Sequence, residues 1–217
     1  MLIAEDLLLL LTDDATGKLV LPGAQVDVAL GGANLIELTL AKRVGLDDRS
    51  RVVVVDASSA GDPILDGALE IIGGRQGKKP KAVVEALGKN LRTTLYRRLV
   101  GEGVLRAEEK KVLSMFPVHR WPTARAEHEE QVRAELTQVL VQRTTPDSRT
   151  AALVALLHAL KAEQRVVDPE EHGLTRKELQ TRAKEISTGD WASEAVRQAI
   201  DAMQAALAAS AAAASTG

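Results

Sequence analysis

Between Ala24 and Val44 the chain carries apolar side chains at helical spacing on more than one side. Ala29, Ala33, Ile36 and Leu40 form one stripe, and Val26, Leu30, Leu35 and Leu38 fill most of the remaining circumference. A helix apolar on most sides cannot lie on a surface, so the rest of the fold has to be wrapped around it. Gly31-Gly32 in its middle costs about 1 kcal/mol per glycine relative to alanine, which calls for close packing or a nearby ligand at that point. The wrapping is aliphatic. Of 217 residues 45% are hydrophobic, yet the aromatics are only Trp121, Trp191, Tyr96 and Phe116, so Leu, Val, Ile and Ala must build the core. The same scarcity argues against ring-stacking recognition of single-stranded nucleic acid.

Around that helix the pattern gives a mainly α, single globular domain over residues 1–209, followed by a low-complexity Ala-rich tail at 210–217 that reads as frayed. Glu5 to Leu11 reads as helix or strand, Asp13 to Gly17 as a turn, and Leu19-Val20-Leu21 as a short strand closed by Pro22-Gly23. Val52 to Val55, four β-branched residues between turn formers, is a strand. Pro63 to Ile72 is a short helix. After the loop at Gly73 to Lys79, one helix running from Pro80 to the glycines at 101 and 103 carries Val84, Leu87, Leu91, Leu95 and Leu99 as its apolar stripe. Val104-Leu105 and Val112 to Val118 are the arms of a projecting β-hairpin separated by charged Arg106 to Lys111. Further helices are expected at Glu127 to Arg143, Ala151 to Ala162, Thr175 to Ser187 and Trp191 to Leu207.

Catalytic and metal signatures are missing. The Gly73 to Lys79 loop has its glycines one residue too close for a P-loop, and Lys79 stands where a magnesium-holding Ser or Thr belongs. No GxSxG elbow occurs, there is no cysteine, and His119, His128, His158 and His172 lack metal-ligand spacing. The sequence therefore gives no catalytic residue, metal ligand or cofactor site. His158, inside an apolar helix, reads as a hydrogen-bonded core or semi-buried histidine. The acidic pairs Glu5-Asp6, Asp13-Asp14 and Glu129-Glu130 read as solvated groups in caps and turns. The apolar run Leu7 to Leu11 is too short for a signal peptide or a membrane span, so a cytoplasmic location with membrane contact from the side is expected.

One charge asymmetry stands out. Residues 73–100 hold eight bases (Arg75, Lys78, Lys79, Lys81, Lys89, Arg92, Arg97, Arg98) against Glu85, a surplus of seven in a chain whose net charge is −2, leaving −9 elsewhere. That is an electrostatic footprint for an anion. On a continuous helix, Lys89, Arg92 and Tyr96 would fall within an arc of about 60°. There Arg offers a planar fork and Lys a mobile point charge to a phosphate.

Three collinear blocks then become recognisable: Glu5 to Leu10 with Asp13 to Gly17, Ala29 to Leu40, and Leu99-Val100-Gly101-Glu102-Gly103-Val104-Leu105. Together with Asp147 to Leu160 they resemble the Golgi phosphoprotein 3 family. That resemblance implies a mainly helical, non-enzymatic protein that binds phosphatidylinositol 4-phosphate on membranes and, in eukaryotes, holds the cytoplasmic tails of Golgi glycosyltransferases. Carried over by position, Lys89 and Arg92 correspond to the family's two headgroup-binding basic residues. The family's pocket Trp and Arg fall at Pro22 and Gly31, which do not match. The hairpin corresponds to the family's oligomerisation or membrane-contact element, with Val112, Leu113, Met115 and Phe116 as its apolar contact surface and a homo-oligomer as its expected product. An Ala-, Arg- and Val-rich chain without the long acidic N-terminal extension of eukaryotic members reads as a bacterial member.

The sequence thus points to an anionic phospholipid or phosphorylated ligand, met by a protein reversibly associated with membrane. Two other readings belong to different classes. Winged-helix-like nucleic-acid binding is disfavoured, because the central helix is too apolar to enter a groove and the chain is slightly acidic. A peptide-binding scaffold for protein tails is the third, although the sequence names no groove for it.

Overall fold

Pro22 sets the entry of the central helix: with φ −56° and ψ 131° it stands just outside the first turn, and α2 runs over Gly23–Leu40. Val26, Ala29, Leu30, Ala33, Leu35, Ile36 and Leu38 are all buried, which requires cover from several directions. The computed structural model describes residues 1–112, 116–189 and 194–215. Within them α2 is packed by α1 (Ile3–Leu10), α4 (Pro80–Leu87), α5 (Leu91–Gly101), α7 (Ser148–Ala159) and α10 (Glu194–Ser215). The protein is mainly α-helical, as the hydrophobic periodicity requires, and the ambiguous segment at Glu5 to Leu11 is helix.

The two glycines inside α2 have a packing cause. A Cβ on Gly31 would lie 2.2 Å from the Val84 carbonyl oxygen in α4, and one on Gly32 would lie 2.8 Å from Met203 Sδ in α10. On the α4 side Gly88 completes the contact, since its Cβ would stand 2.3 Å from the Asp27 carbonyl oxygen. α2 and α4 therefore meet backbone to backbone, at a separation no larger side chain allows, while the Met203 side chain of α10 fills the space over Gly32.

Several boundaries depart from the sequence reading. The central helix stops at Leu40 rather than Val44, because Lys42 takes φ 57° and the Arg43 N–H returns to the Leu38 carbonyl. Val44 is instead the first residue of β1 (Val44–Leu46), which pairs antiparallel with β2 (Val52–Val54), Val44 opposite Val54. The single long helix expected after Pro80 is two. Asn90 adopts φ 61°, and Gly88-Lys89-Asn90 forms a corner between α4 and α5. The close approach of Gly88 to α2 fixes that corner, so the apolar stripe is continuous across it while the helix is not. The hairpin's first arm is β3 (Glu108–Val112), so that most of the charged Arg106 to Lys111 stretch is strand and Val112 ends the first arm instead of opening the second, while Leu105 makes only an isolated bridge to Thr123. Cross-strand pairing with β4 (Phe116–Arg120) has overridden composition here. Val112 pairs with Phe116, whereas Leu113 and Met115 lie outside the described residues.

The remaining elements follow their caps. Asp62 accepts from the Ile64 N–H (2.8 Å) at the start of α3 (Pro63–Gly73). Asp147 accepts from the Thr150 N–H (2.7 Å) ahead of α7. Thr175 and Glu178 form a capping box on α9 (Arg176–Ser187). The segments α6 (Glu127–Leu140) and α8 (Glu163–Val166) flank α7. Trp191, the expected start of the last helix, lies outside the described residues. At its other end α10 passes Leu207 and continues to Ser215, as the high helix propensity of alanine favours.

The acids of α1 overturn another expectation. Glu5 and Asp6 are 0% and 4% exposed, and Glu129 is 4% exposed, so these are buried charges and not solvated caps. Each is matched by a base. Arg98 reaches Glu5 (3.0 Å) as well as Asp62 (2.6 Å), and Arg133 reaches Glu129 (2.6 Å). Asp6 takes both His128 and Arg149 at 2.7 Å, while Arg149 also holds Glu37 (3.1 Å). These pairs tie α1 to α2, α5, α6 and α7.

A candidate anion-binding cleft beside the central helix

The turn after α1 positions the first wall of the site. Asp13 accepts from both the N–H and the hydroxyl of Thr16, and that bonding holds its carboxyl below the usual aspartate range. Gly17 then adopts φ 62°, where a Cβ would stand 2.2 Å from the Trp121 nitrogen, so only glycine lets the two segments touch. The Trp121 N–H donates to the Gly17 carbonyl at 3.1 Å. This contact brings the indole of Trp121 over Tyr96 of α5, with ring centroids 4.8 Å apart and planes within 8° of parallel. Tyr96 is buried and its hydroxyl lies 2.9 Å from Thr12 Oγ1; burial pushes the phenol above its ordinary value.

Around this stacked pair opens a cleft of about 470 Å³, lined also by Lys18, Arg92 and Arg97. Arg92 is half-buried and its Nε pairs with Asp27 Oδ1 at 3.2 Å, against the first turns of α2. Burial pushes the Asp27 carboxyl up and the Arg92 charge pulls it down. Lys18 and Arg97 are exposed at the rim and have no ion pair among the described residues. The cleft thus combines an aromatic floor with two uncommitted cations and one partly neutralised by Asp27.

Lys89 is placed differently. It stands in the α4–α5 corner and lines a neighbouring cleft of about 410 Å³ with Asp27, Glu85, Ala206 and Ala209. The break at Asn90 removes the continuous helix face on which Lys89 and Arg92 shared an arc, and the two side chains open onto adjacent clefts with Asp27 in between. Pro22 stands at the N-terminus of α2, and Gly31 is the buried contact with α4. Sequence reasoning missed Trp121 and Lys18, and counted Arg97 only as part of the charge surplus. The only sequence signal for Trp121 is its rarity; its contact with Tyr96 spans 25 positions and depends on the tertiary fold.

No helix among the described residues is long and apolar enough to cross a membrane. No cluster of three metal-ligating side chains occurs among them either. Fold and cleft together define a mainly helical domain built on a central buried helix, with a cation-rimmed cleft at its surface. The chain belongs to the Golgi phosphoprotein 3 (GPP34) family, whose model matches residues 3–203. It is similar to the Vacuolar protein sorting-associated protein 74 of Eremothecium gossypii, 27% identical over a match that covers 75% of this chain and 60% of that protein. The chain therefore spans less than two thirds of the length of that relative.

Proposed function

We propose that this chain is a non-catalytic peripheral membrane protein that binds anionic phospholipid headgroups, by family resemblance phosphatidylinositol 4-phosphate. The observation that carries the reading is the cleft in which Lys18, Arg92 and Arg97 surround the Trp121–Tyr96 stack. Lys89 adds a further cation one corner away. Guanidinium and ammonium groups supply the donors a phosphate monoester needs, and the indole supplies a flat apolar face for the ring that bears it. At about 1 kcal/mol per base near an anionic surface, such a set supports reversible attachment without a membrane-spanning anchor.

Co-sedimentation with vesicles tests this. Phosphatidylcholine vesicles containing phosphatidylinositol 4-phosphate are expected to retain the protein, and pure phosphatidylcholine vesicles are not. Replacing Lys18 and Arg97 together by alanine is expected to weaken retention by about 10- to 30-fold, and Lys89→Ala with Arg92→Ala to weaken it as well. Retention equal to wild type in both double variants would remove the site. An absence of binding to any anionic vesicle would remove the function.

A further inference from the structure

A cleft of about 700 Å³ opens where α7 ends, between the first turn of α2, α9 and α10. At its edge the imidazole Nδ1 of His158 lies 3.0 Å from Glu163 Oε1. Glu163 is 1% exposed, and its Oε2 has no hydrogen-bond partner among the described residues. A carboxylate withdrawn this far from water holds the ring at Nδ1, which leaves Nε2 as the ring's remaining polar edge. Gln25, Gln180, Gln204 and Lys161 also line the cleft, and their side chains enter no hydrogen bond or ion pair among the described residues.

We infer that this cleft binds a polyhydroxylated ligand, a sugar or a comparable polyol. The lining is ambivalent: each of three carboxamides presents one N–H side and one C=O side, and the imidazole presents its second ring nitrogen. A hydroxyl both donates and accepts, so neighbouring hydroxyls satisfy such groups in either orientation. An oxyanion can use only the N–H halves and meets the Glu163 charge beyond the ring. A cation can use only the oxygens and meets Lys161. Ala159, Leu160, Leu207 and Ala208 give the cleft apolar surface for the C–H face of a pyranose ring, and the volume lies within the range of small-ligand sites. Sites of this kind select their ligands strongly, because a partner lacking the hydroxyls leaves the polar groups unpaired.

The test follows the His158 ring nitrogens and the Gln180 and Gln204 amide groups by nuclear magnetic resonance as glucose, mannose, N-acetylglucosamine or maltose is added. At least one sugar is expected to give saturable shifts, and the Gln180→Ala, Gln204→Ala double variant to weaken its affinity by about tenfold. Both glutamines are exposed, so the variant is expected to melt at the wild-type temperature. The inference fails if none of the four sugars gives a saturable shift, if the double variant binds as wild type, or if inorganic phosphate shifts these resonances and the sugars do not. Vesicle binding at the other cleft is read separately, so loss of one conclusion leaves the other in place.

Discussion

Arg149 shows how much of this fold rests on single buried charges. It spans Asp6 in α1 and Glu37 in α2 from the first turn of α7, and Glu37 in turn accepts from the Ile3 N–H at 2.8 Å. Burial pushes the Glu37 carboxyl above its ordinary value of 4.5, with the Ile3 bond and the Arg149 charge opposing that rise. An acid raised in the folded state stabilises the fold below its unfolded value, and this contribution is lost as pH rises through the folded value. Removing Arg149 takes away one of the groups that make the ionised form tolerable. Arg149→Met is therefore expected to lower stability at pH 7 by about 2 kcal/mol, less than for a fully buried pair because the arginine is 39% exposed. Near pH 4, where Glu37 is protonated, the deficit is expected to shrink. Urea midpoints at the two pH values measure it, and an equal deficit at both would show that Glu37 is not the charge left behind. None of this was readable in the sequence. Glu5-Asp6 looks like a helix-start acid pair, and partners as distant as Arg149 or His128 leave no local trace.

At the scale of elements, the sequence was legible wherever one helix or strand was specified by its own period and caps, and illegible where a neighbour set the boundary. α3, α7 and α9 lie close to where Pro63, Asp147 and Thr175 place them. The α4–α5 corner was missed because its leucine stripe runs through it unbroken and its cause, the Gly88 contact with Asp27, lies on another helix. The same contact changes the meaning of Gly31. By resemblance it marks a lost headgroup arginine, yet its Cβ direction points into the Val84 carbonyl and the Gly88 backbone, leaving no route to solvent for a side chain. Gly31→Ala is expected to cost at least about 2 kcal/mol and Gly31→Arg to fail to fold, without any gain in lipid binding. Gly67 in α3 has nothing within 4 Å of its Cβ position, so Gly67→Ala is expected to stabilise by about 0.5–1 kcal/mol. Thermal unfolding of the two alanine variants reads both signs, and a stable Gly31→Ala protein would mean that α2 and α4 can separate at little cost.

Across the whole molecule, the surplus of seven positive charges in residues 73–100 is divided between cohesion and exposure. Lys81, Arg92 and Arg98 are spent on Glu85, Asp27 and the Glu5–Asp62–Glu102 set. Arg75, Lys78, Lys79, Lys89 and Arg97 have no ion pair among the described residues and supply the outward field. Counting charges along the chain could not separate these groups, because the acids that claim the first three lie as far away as α1. Adjacent arginines make the division testable. Arg97 is exposed at the cleft, whereas Arg98 neutralises a glutamate that is 0% exposed and whose carboxyl burial already pushes up. The same formal change therefore has opposite consequences. Arg97→Ala is expected to weaken binding to anionic vesicles by about fivefold, the worth of roughly 1 kcal/mol, and to leave the melting temperature unchanged. Arg98→Ala is expected to lower the melting temperature by several degrees while the folded fraction keeps near-normal vesicle affinity. Raising salt from about 0.1 M to about 1 M shortens the screening length from about 10 Å to about 3 Å, which should abolish the Arg97 difference and leave most of the Arg98 deficit. If both variants instead lose affinity equally at low salt, the attraction is a property of net charge alone and the cleft confers no direction on it.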